Sequence, residues 1–178
     1  MSFRRFIFAG VTLFLLLSSS VNATEPVKIA FVDTGNTGRS LTAELMAEKW
    51  ATEKNRHISV ISRGVDVDPY DIYAEKNAAL IWKERGVDVT AHRAMQLVSN
   101  DIHHSDLILT LTKKHKAKVI ALFPDAEKKT FTMSEYATGQ HTDVEDAWGK
   151  PLDFYRSMFR QVEGYIPAIM EKASSIKK

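Results

Sequence analysis

The stretch that most constrains this chain is AFVDTGNTGRSLTAEL, residues 30 to 45. The apolar run Val27–Val32 before it predicts a buried strand that ends at Asp33. A glycine-rich loop with one arginine follows, and a helical pattern begins at Leu41. A strand, a loop and a helix in this order make an anion site when the loop N–H groups and the helix N-terminus point inward. The carboxylate of Asp33, at the base of this loop, would repel a bound anion, so its presence there has to be explained.

The composition of the loop supports the anion site. Gly35 and Gly38 let the backbone turn without Cβ clashes, and Arg39 can hold two oxygens of one anion. Asn36 and Ser40 can hydrogen-bond the loop and hold its shape. The loop lacks the Gly-Lys-Ser/Thr of nucleotide P-loops and the glycine spacing of dinucleotide-binding turns. An ordinary strand-to-helix turn without a ligand remains the alternative.

The first 23 residues predict a cleaved secretory signal peptide. Arg4 and Arg5 form a basic region, Phe6–Leu17 an apolar region, and Val21-Asn22-Ala23 a small-residue cleavage site. The apolar run is shorter than the roughly 20 residues of a membrane span. We therefore expect residues 24–178 to form one domain, exported to a bacterial periplasm and without membrane association after cleavage.

Charge and cysteine content exclude several classes of function. The chain has 24 basic and 22 acidic residues, and removal of Arg4 and Arg5 leaves 22 of each. This balance gives no reason to expect nucleic-acid binding. The chain has no cysteine, which excludes disulfides and every thiol-based mechanism.

Strand and helix patterns alternate along the rest of the chain. This order predicts a doubly wound, mostly parallel four-stranded α/β sheet with helices on both faces, and ligands at the carboxyl ends of its strands. The predicted strands are Val27–Val32, His57–Ser62, Leu107–Leu111 and Lys129–Met133. The predicted helices are Leu41–Lys54, Tyr73–Arg85, Lys113–Leu122 and Pro151–Ala173. We expect residues 87–102 to be a mostly helical connector and residues 134–149 a polar loop.

The loop Asp33-x5-Arg39-Ser40 resembles the Cys-x5-Arg-Ser loop of the low-molecular-weight protein tyrosine phosphatases and their arsenate reductase relatives. Further similar segments follow in the family's order: ISRGVDVDP, ERGVDVTAHRAMQL, SDLILTL and DVEDAWGKPLDFY. The resemblance implies the family fold over the whole predicted domain. It also implies that His92 supports the loop and that Asp146 stands where the family carries its general acid.

The departures from the family pattern concern the chemistry. Asp33 replaces the nucleophilic cysteine, and Gly38 replaces a second loop cysteine. Ala147 replaces the proline after the acidic aspartate, and Thr112 replaces an aspartate after the third strand. Because the family reaction needs a thiolate, this chain cannot carry it out.

Three interpretations of the loop remain. The first is a pseudophosphatase that binds phosphate, another oxyanion or a phosphorylated partner, with Asp33, Arg39 and Asp146 at the site. The second is a phosphomonoester hydrolase that uses Asp33 as its nucleophile. The third is a structural or interaction module in which Asp33 fills the anion pocket and pairs with Arg39. An open cleft favours binding, whereas a buried Asp33–Arg39 pair favours the structural module.

The predicted phosphate-binding loop is Thr34, Gly35, Asn36, Thr37, Gly38, Arg39 and Ser40. Trp148 and Tyr70 are candidate walls of the pocket, since aromatic faces suit a phosphoaryl group, although ordinary packing explains them equally well. His103, His104 and His115 lack the ligand spacing of a zinc site. We therefore predict neither a metal nor a cofactor.

Overall fold

A sheet of four parallel strands forms the centre of the molecule. The computed structural model describes residues 25–177, and the strands lie in the order β2-β1-β3-β4. Their bounds are β1 Val27–Asp33, β2 Ile58–Gly64, β3 Leu107–Thr110 and β4 Thr130–Thr132. Asp33 lies opposite Gly64, and Val32 lies opposite Thr110. The carboxyl ends of the strands therefore meet at one edge of the sheet, where β1 delivers Asp33.

Helices cover both faces of the sheet, as the sequence predicts. The α-helices are α1 Arg39–Glu53, α2 Lys76–Glu84, α3 Ser99–His104, α4 Lys113–Leu122, α5 Met133–Thr138 and α6 Leu152–Ala173. A 3₁₀ turn spans Pro124–Lys129. Successive side chains of β1 point to opposite faces of the sheet, as they do in any strand. Ile29 and Phe31 join the core with α1, α2 and α6, whereas Ala30 and Val32 join a smaller core with α3 and α4.

The long helix α6 closes the larger core. Its apolar side chains recur at helical spacing, and Tyr155, Phe159, Val162 and Ile166 are all buried. Phe159 packs against Trp82 of α2, with ring centroids 5.4 Å apart. This packing joins α2 to α6.

Two connections differ from the sequence prediction. Residues 87–98 are extended or turn-like instead of helical, because the segment joins the sheet edge through a bridge between Gly64 and Gln96. Residues 133–138 are helical rather than part of a polar loop, since Thr132 and Glu135 form a capping box. In each case a specific hydrogen-bonding partner decided the local structure.

The predicted signal peptide, residues 1–23, lies outside the described residues. Within residues 25–177, none of the helices combines the length and hydrophobicity that a membrane span requires.

Candidate phosphate-binding site

The loop between β1 and α1 folds around the carboxylate of Asp33. Asp33 Oδ1 accepts a hydrogen bond from the backbone N–H of Asn36 at 2.7 Å, and Oδ2 accepts one from the N–H of Ser40 at 2.9 Å. The residue is only 3% exposed. The carboxylate therefore takes up two of the N–H groups that would otherwise face an anion.

Asn36 holds the shape of the loop. Its φ of 58° lies in the left-handed region, where asparagine is among the better tolerated residues. Its side-chain amide donates to the hydroxyls of Ser40 at 3.0 Å and Ser62 at 2.8 Å, and its Oδ1 accepts from the N–H of Met95 at 2.9 Å. Asn36 and Ser40 are thus buried supports of the loop rather than groups that face a ligand.

His92 lies against the loop from the outside. Its Nε2 donates to the backbone carbonyl of Asn36 at 2.7 Å. The hydroxyl of Ser62 accepts a hydrogen bond from the Asn36 side-chain amide and donates one to the carboxylate of Glu44. Burial raises the pKa of Glu44, partly offset by its hydrogen bond from Ser62. A chain of hydrogen bonds therefore ties the loop to β2, α1 and the segment after α2.

Five loop N–H groups make no hydrogen bond to another protein group in the described part of the chain. They are the amides of Thr34, Gly35, Thr37, Gly38 and Arg39. Successive free amides in a turn form an anion-binding concavity. The loop is therefore filled by Asp33 on one side and open on the other.

Arg39 pairs with Asp146 rather than with Asp33. The guanidinium donates from Nη2 to Asp146 Oδ2 at 3.1 Å. The Arg39 side chain is 11% exposed and that of Asp146 is 60% exposed. Because water reaches the exposed Asp146 carboxylate and screens it, the pair is weaker than a fully buried one. The guanidinium is therefore available to an anion that enters the loop.

These groups line one open cleft of about 310 Å³. Asp33, Thr34, Gly35, Thr37 and Arg39 form its base, and Asp146 and Trp148 form one side. Tyr70, the other predicted wall, does not line the cleft: its side chain is 95% exposed. The turn that carries it directs Asp68 and Asp71 to the cleft instead.

Sequence reasoning missed the acidic character of this cleft. Asp66, Asp68, Asp71 and Glu75 also line it, so that six carboxylates share the cleft with the guanidinium of Arg39. Three of them come from the segment VDVDPYD that follows β2. Because β2 is parallel to β1, its carboxyl end lies beside the loop. The position of this acidic segment directly after a predicted strand could have revealed it.

Sequence reasoning also missed the place of His115 at the site. Nε2 of His115 lies 2.9 Å from the hydroxyl of Thr34, and Nδ1 is buried without a partner among the described residues. Burial, and then the charge of Arg39, lowers the pKa of His115 to about 4. The ring is therefore neutral at pH 7 and supports the loop without adding positive charge to the cleft.

Within residues 25–177, no group of three or more His, Asp or Glu side chains is arranged to hold a metal ion.

Comparison with known sequences identifies similar proteins. A family model described as low molecular weight phosphotyrosine protein phosphatase matches residues 28–178. A protein-arginine-phosphatase of Geobacillus stearothermophilus is 32% identical over 153 residues, which cover 83% of this chain and 96% of that protein. The protein-tyrosine-phosphatase PtpB of Staphylococcus haemolyticus is 32% identical over 136 residues, which cover 76% of this chain and 92% of that protein.

Solved structures give the same result. The YwlE arginine phosphatase from Geobacillus stearothermophilus superimposes with a TM-score of 0.75 at 32% identity and covers 83% of this chain and 92% of its own. A low molecular weight protein tyrosine phosphatase from T. tengcongensis gives 0.77 at 33% identity, covering 82% of this chain and 99% of its own. The fold and the resemblance that the loop motif implied are confirmed.

Proposed function

The chain belongs to the low-molecular-weight phosphotyrosine protein phosphatase family, and because it contains no cysteine we propose that it binds a phosphorylated protein side chain as a pseudophosphatase. In this role the loop recognises the phosphoryl group, and no thiol attacks it.

The observation that carries this proposal is the open, preformed loop. Four residues whose backbone N–H groups donate to no other described protein group, Thr34, Gly35, Thr37 and Arg39, line a solvent-accessible cleft together with the Arg39 side chain. In a purely structural module, Arg39 would be expected to pair with the buried Asp33. Its pairing with the exposed Asp146 leaves room for a ligand and favours binding over a self-filled loop.

The charges of the cleft favour phosphoarginine as the ligand. Two unit charges about 4 Å apart repel by roughly 4 kcal/mol at an effective dielectric near 20, so the carboxylate of Asp33 weakens the binding of any phosphoryl group. The acidic rim compensates only when the ligand also carries positive charge. A phosphorylated arginine combines both charges, whereas a phosphorylated tyrosine does not. Two relatives, from Geobacillus stearothermophilus and Bacillus subtilis, are protein-arginine-phosphatases.

A second candidate function is hydrolysis through Asp33. A solved YwlE arginine phosphatase, with serine in place of a cysteine, carries a phosphoryl group on that active-site serine. An oxygen can therefore hold the phosphoryl group in a relative's site. Here an oxygen of Asp33 would bond to phosphorus as the bond to the leaving group breaks, and Asp146 would supply the leaving group's proton. Water would then hydrolyse the aspartyl phosphate and restore the carboxylate.

Export to the periplasm is part of the proposal and rests on residues 1–23 alone. The test is the mass of the protein recovered from the periplasm of a bacterial host. The expected product begins at Thr24, and recovery of the uncleaved chain in the cytoplasm would contradict export.

Turnover of an aryl phosphate and of phosphoarginine separates the functions. We expect the native protein to bind phosphoarginine in calorimetry but to release no phosphate, with or without Mg²⁺. Asp33→Cys should gain activity, because it restores the nucleophile to an intact loop, and Asp33→Ala should stay inactive. Turnover by the native protein that Asp33→Ala abolishes would show that Asp33 is a nucleophile. Absence of binding by the native protein would favour the structural module.

A further inference from the structure

The carboxylate of Glu75 rests directly on the loop, in space that Gly38 leaves empty. The N–H of Glu75 donates to the carbonyl of Thr37 at 2.9 Å, and the hydroxyl of Thr37 donates to Glu75 Oε1 at 3.2 Å. A Cβ built on Gly38 would overlap the Glu75 carboxylate, with Cδ only 2.8 Å away. Any side chain at position 38 would therefore displace the carboxylate. The glycine allows Glu75 to form part of the cleft wall.

The Glu75 carboxylate keeps acceptor capacity for a ligand. The hydroxyl of Thr37 donates to Glu75 Oε1, and the hydroxyl of Tyr155 lies close enough to the carboxylate to lower its pKa. Burial, and then its contact with Glu75, raises the pKa of the Tyr155 hydroxyl, which therefore remains a donor at neutral pH. Burial also raises the pKa of Glu75, and the charge of Asp33 adds to that effect. A carboxylate has about four lone-pair sites, so the hydrogen bond from Thr37 leaves sites that can face the cleft.

Asp33 is more buried than Glu75, but its two oxygens already accept from the Asn36 and Ser40 amides. Glu75 differs from the remaining carboxylates of the cleft in its burial and its contacts. Asp66, Asp68 and Asp71 are exposed, and Asp66 already pairs with Lys118 at 3.2 Å. Water screens charges at such exposed positions. Asp146 is occupied by Arg39. Glu75 is shielded by the loop and by α6, so a hydrogen bond to it discriminates more strongly between ligands.

We propose that Glu75 determines which phosphorylated side chain the cleft accepts, by taking a hydrogen bond from an N–H group next to the phosphoryl group. This inference rests on the proposed function and names its ligand class. Phosphorylated nitrogen compounds, such as phosphoarginine, carry such N–H groups beside the phosphorus. Phosphate esters, such as phosphotyrosine, present only an oxygen and a carbon ring there and leave the Glu75 carboxylate unpaired.

The test measures the dissociation constants of phosphoarginine, phosphotyrosine and inorganic phosphate by calorimetry on the purified protein. In Glu75→Gln, the preference for phosphoarginine over phosphotyrosine should fall about tenfold, the effect of one charged hydrogen bond. Binding of inorganic phosphate should stay equal or become tighter, since a negative charge leaves the cleft. The control is Glu84→Gln, which makes the same charge change on α2 but pairs with Arg156 outside the cleft.

Each outcome decides between the two proposals. An unchanged preference in Glu75→Gln, or an equal fall in Glu84→Gln, overturns the role of Glu75 and leaves the proposed function intact. Failure of the native protein to bind any of the three ligands overturns both. If Glu75→Gln does not fold, Glu75→Asp serves instead, because it keeps the charge but withdraws the carboxylate from the loop. A preserved preference in Glu75→Asp would then count against the proposal.

Discussion

Replacement of Asp33 by asparagine should weaken the fold and strengthen anion binding. The two carboxylate oxygens of Asp33 accept from the N–H groups of Asn36 and Ser40 at 2.7 and 2.9 Å. Asparagine has nearly the same shape but keeps only one oxygen, so its NH₂ group must face one of these donors. Hydrogen bonds to a charged group contribute about 1.5–3 kcal/mol, and an unsatisfied buried donor costs about 1–3 kcal/mol. We expect the free energy of unfolding to fall by about 2–4 kcal/mol.

The same substitution removes the charge that opposes a phosphoryl group. The repulsion of roughly 4 kcal/mol at about 4 Å is an upper bound, because Arg39 and the loop amides offset part of it. Even a third of it corresponds to a roughly tenfold change in affinity. Inorganic phosphate should therefore bind at least about tenfold more tightly to Asp33→Asn. General damage to the fold cannot raise affinity, so the two effects together point to Asp33 itself.

The assay combines urea unfolding with calorimetric titration of phosphate at pH 7. The matched control is Asp101→Asn, which removes a buried carboxylate that pairs with Arg63 at 3.0 Å and lies outside the cleft lining. It should lower stability by about 3–5 kcal/mol and leave phosphate affinity unchanged. Equal or weaker phosphate binding in Asp33→Asn would refute the view that Asp33 competes with the anion.

Two further substitutions test the supports of the loop. His115 has a folded pKa of about 4, below its unfolded value, so the unfolded chain binds the extra proton first and stability is lost as the pH falls from about 6.5 to 4. His115→Gln should remove up to about 3 kcal/mol of this pH-dependent loss in the free energy of unfolding. The measurement is urea unfolding of both proteins across this pH range, and an unchanged pH profile would contradict a buried neutral ring. In Gly64→Ala, the new Cβ would lie 2.5 Å from the carbonyl oxygen of Thr34 and 3.0 Å from the carbonyl carbon of Gly35. We expect displacement of the loop to lower the free energy of unfolding by about 1–3 kcal/mol and to weaken phosphate binding. Gly139→Ala, far from the cleft, is the control. Unaltered phosphate affinity in Gly64→Ala would show that the loop tolerates the shift.

The elements that the sequence predicted well are those with a strong local pattern. The helix Lys113–Leu122 has the predicted bounds, and β1 differs by one residue. The connector predicted as mostly helical at residues 87–102 is helical only from Ser99 onward. The prediction was wrong for residues 87–98, because their conformation depends on Gly64, more than twenty residues earlier in the chain. The short helix Met133–Thr138 was missed although its capping box, Thr132 and Glu135, is visible in the sequence.

The candidate site also has a part that local sequence predicts and a part that it does not. The order strand, glycine-rich loop, arginine and helix is local, and it was sufficient to predict an anion site at residues 33–40. The partners of that loop are not local. Glu75, Ser62 and His115 come from three other parts of the chain, and no spacing rule connects them with Asp33. They meet at the loop because parallel strands bring their carboxyl ends to one edge of the sheet.

The fold class, the position of the loop and the impossibility of thiol chemistry follow from residue types within short stretches or from composition, so the amino-acid sequence is enough to derive them. The pairing of Arg39 with Asp146, the partial filling of the loop by Asp33 and the acidity of the cleft emerge only in the folded molecule. These properties are sums of charges and contacts over residues far apart in the chain. Electrostatic energy depends on distance in space, which a linear sequence does not contain.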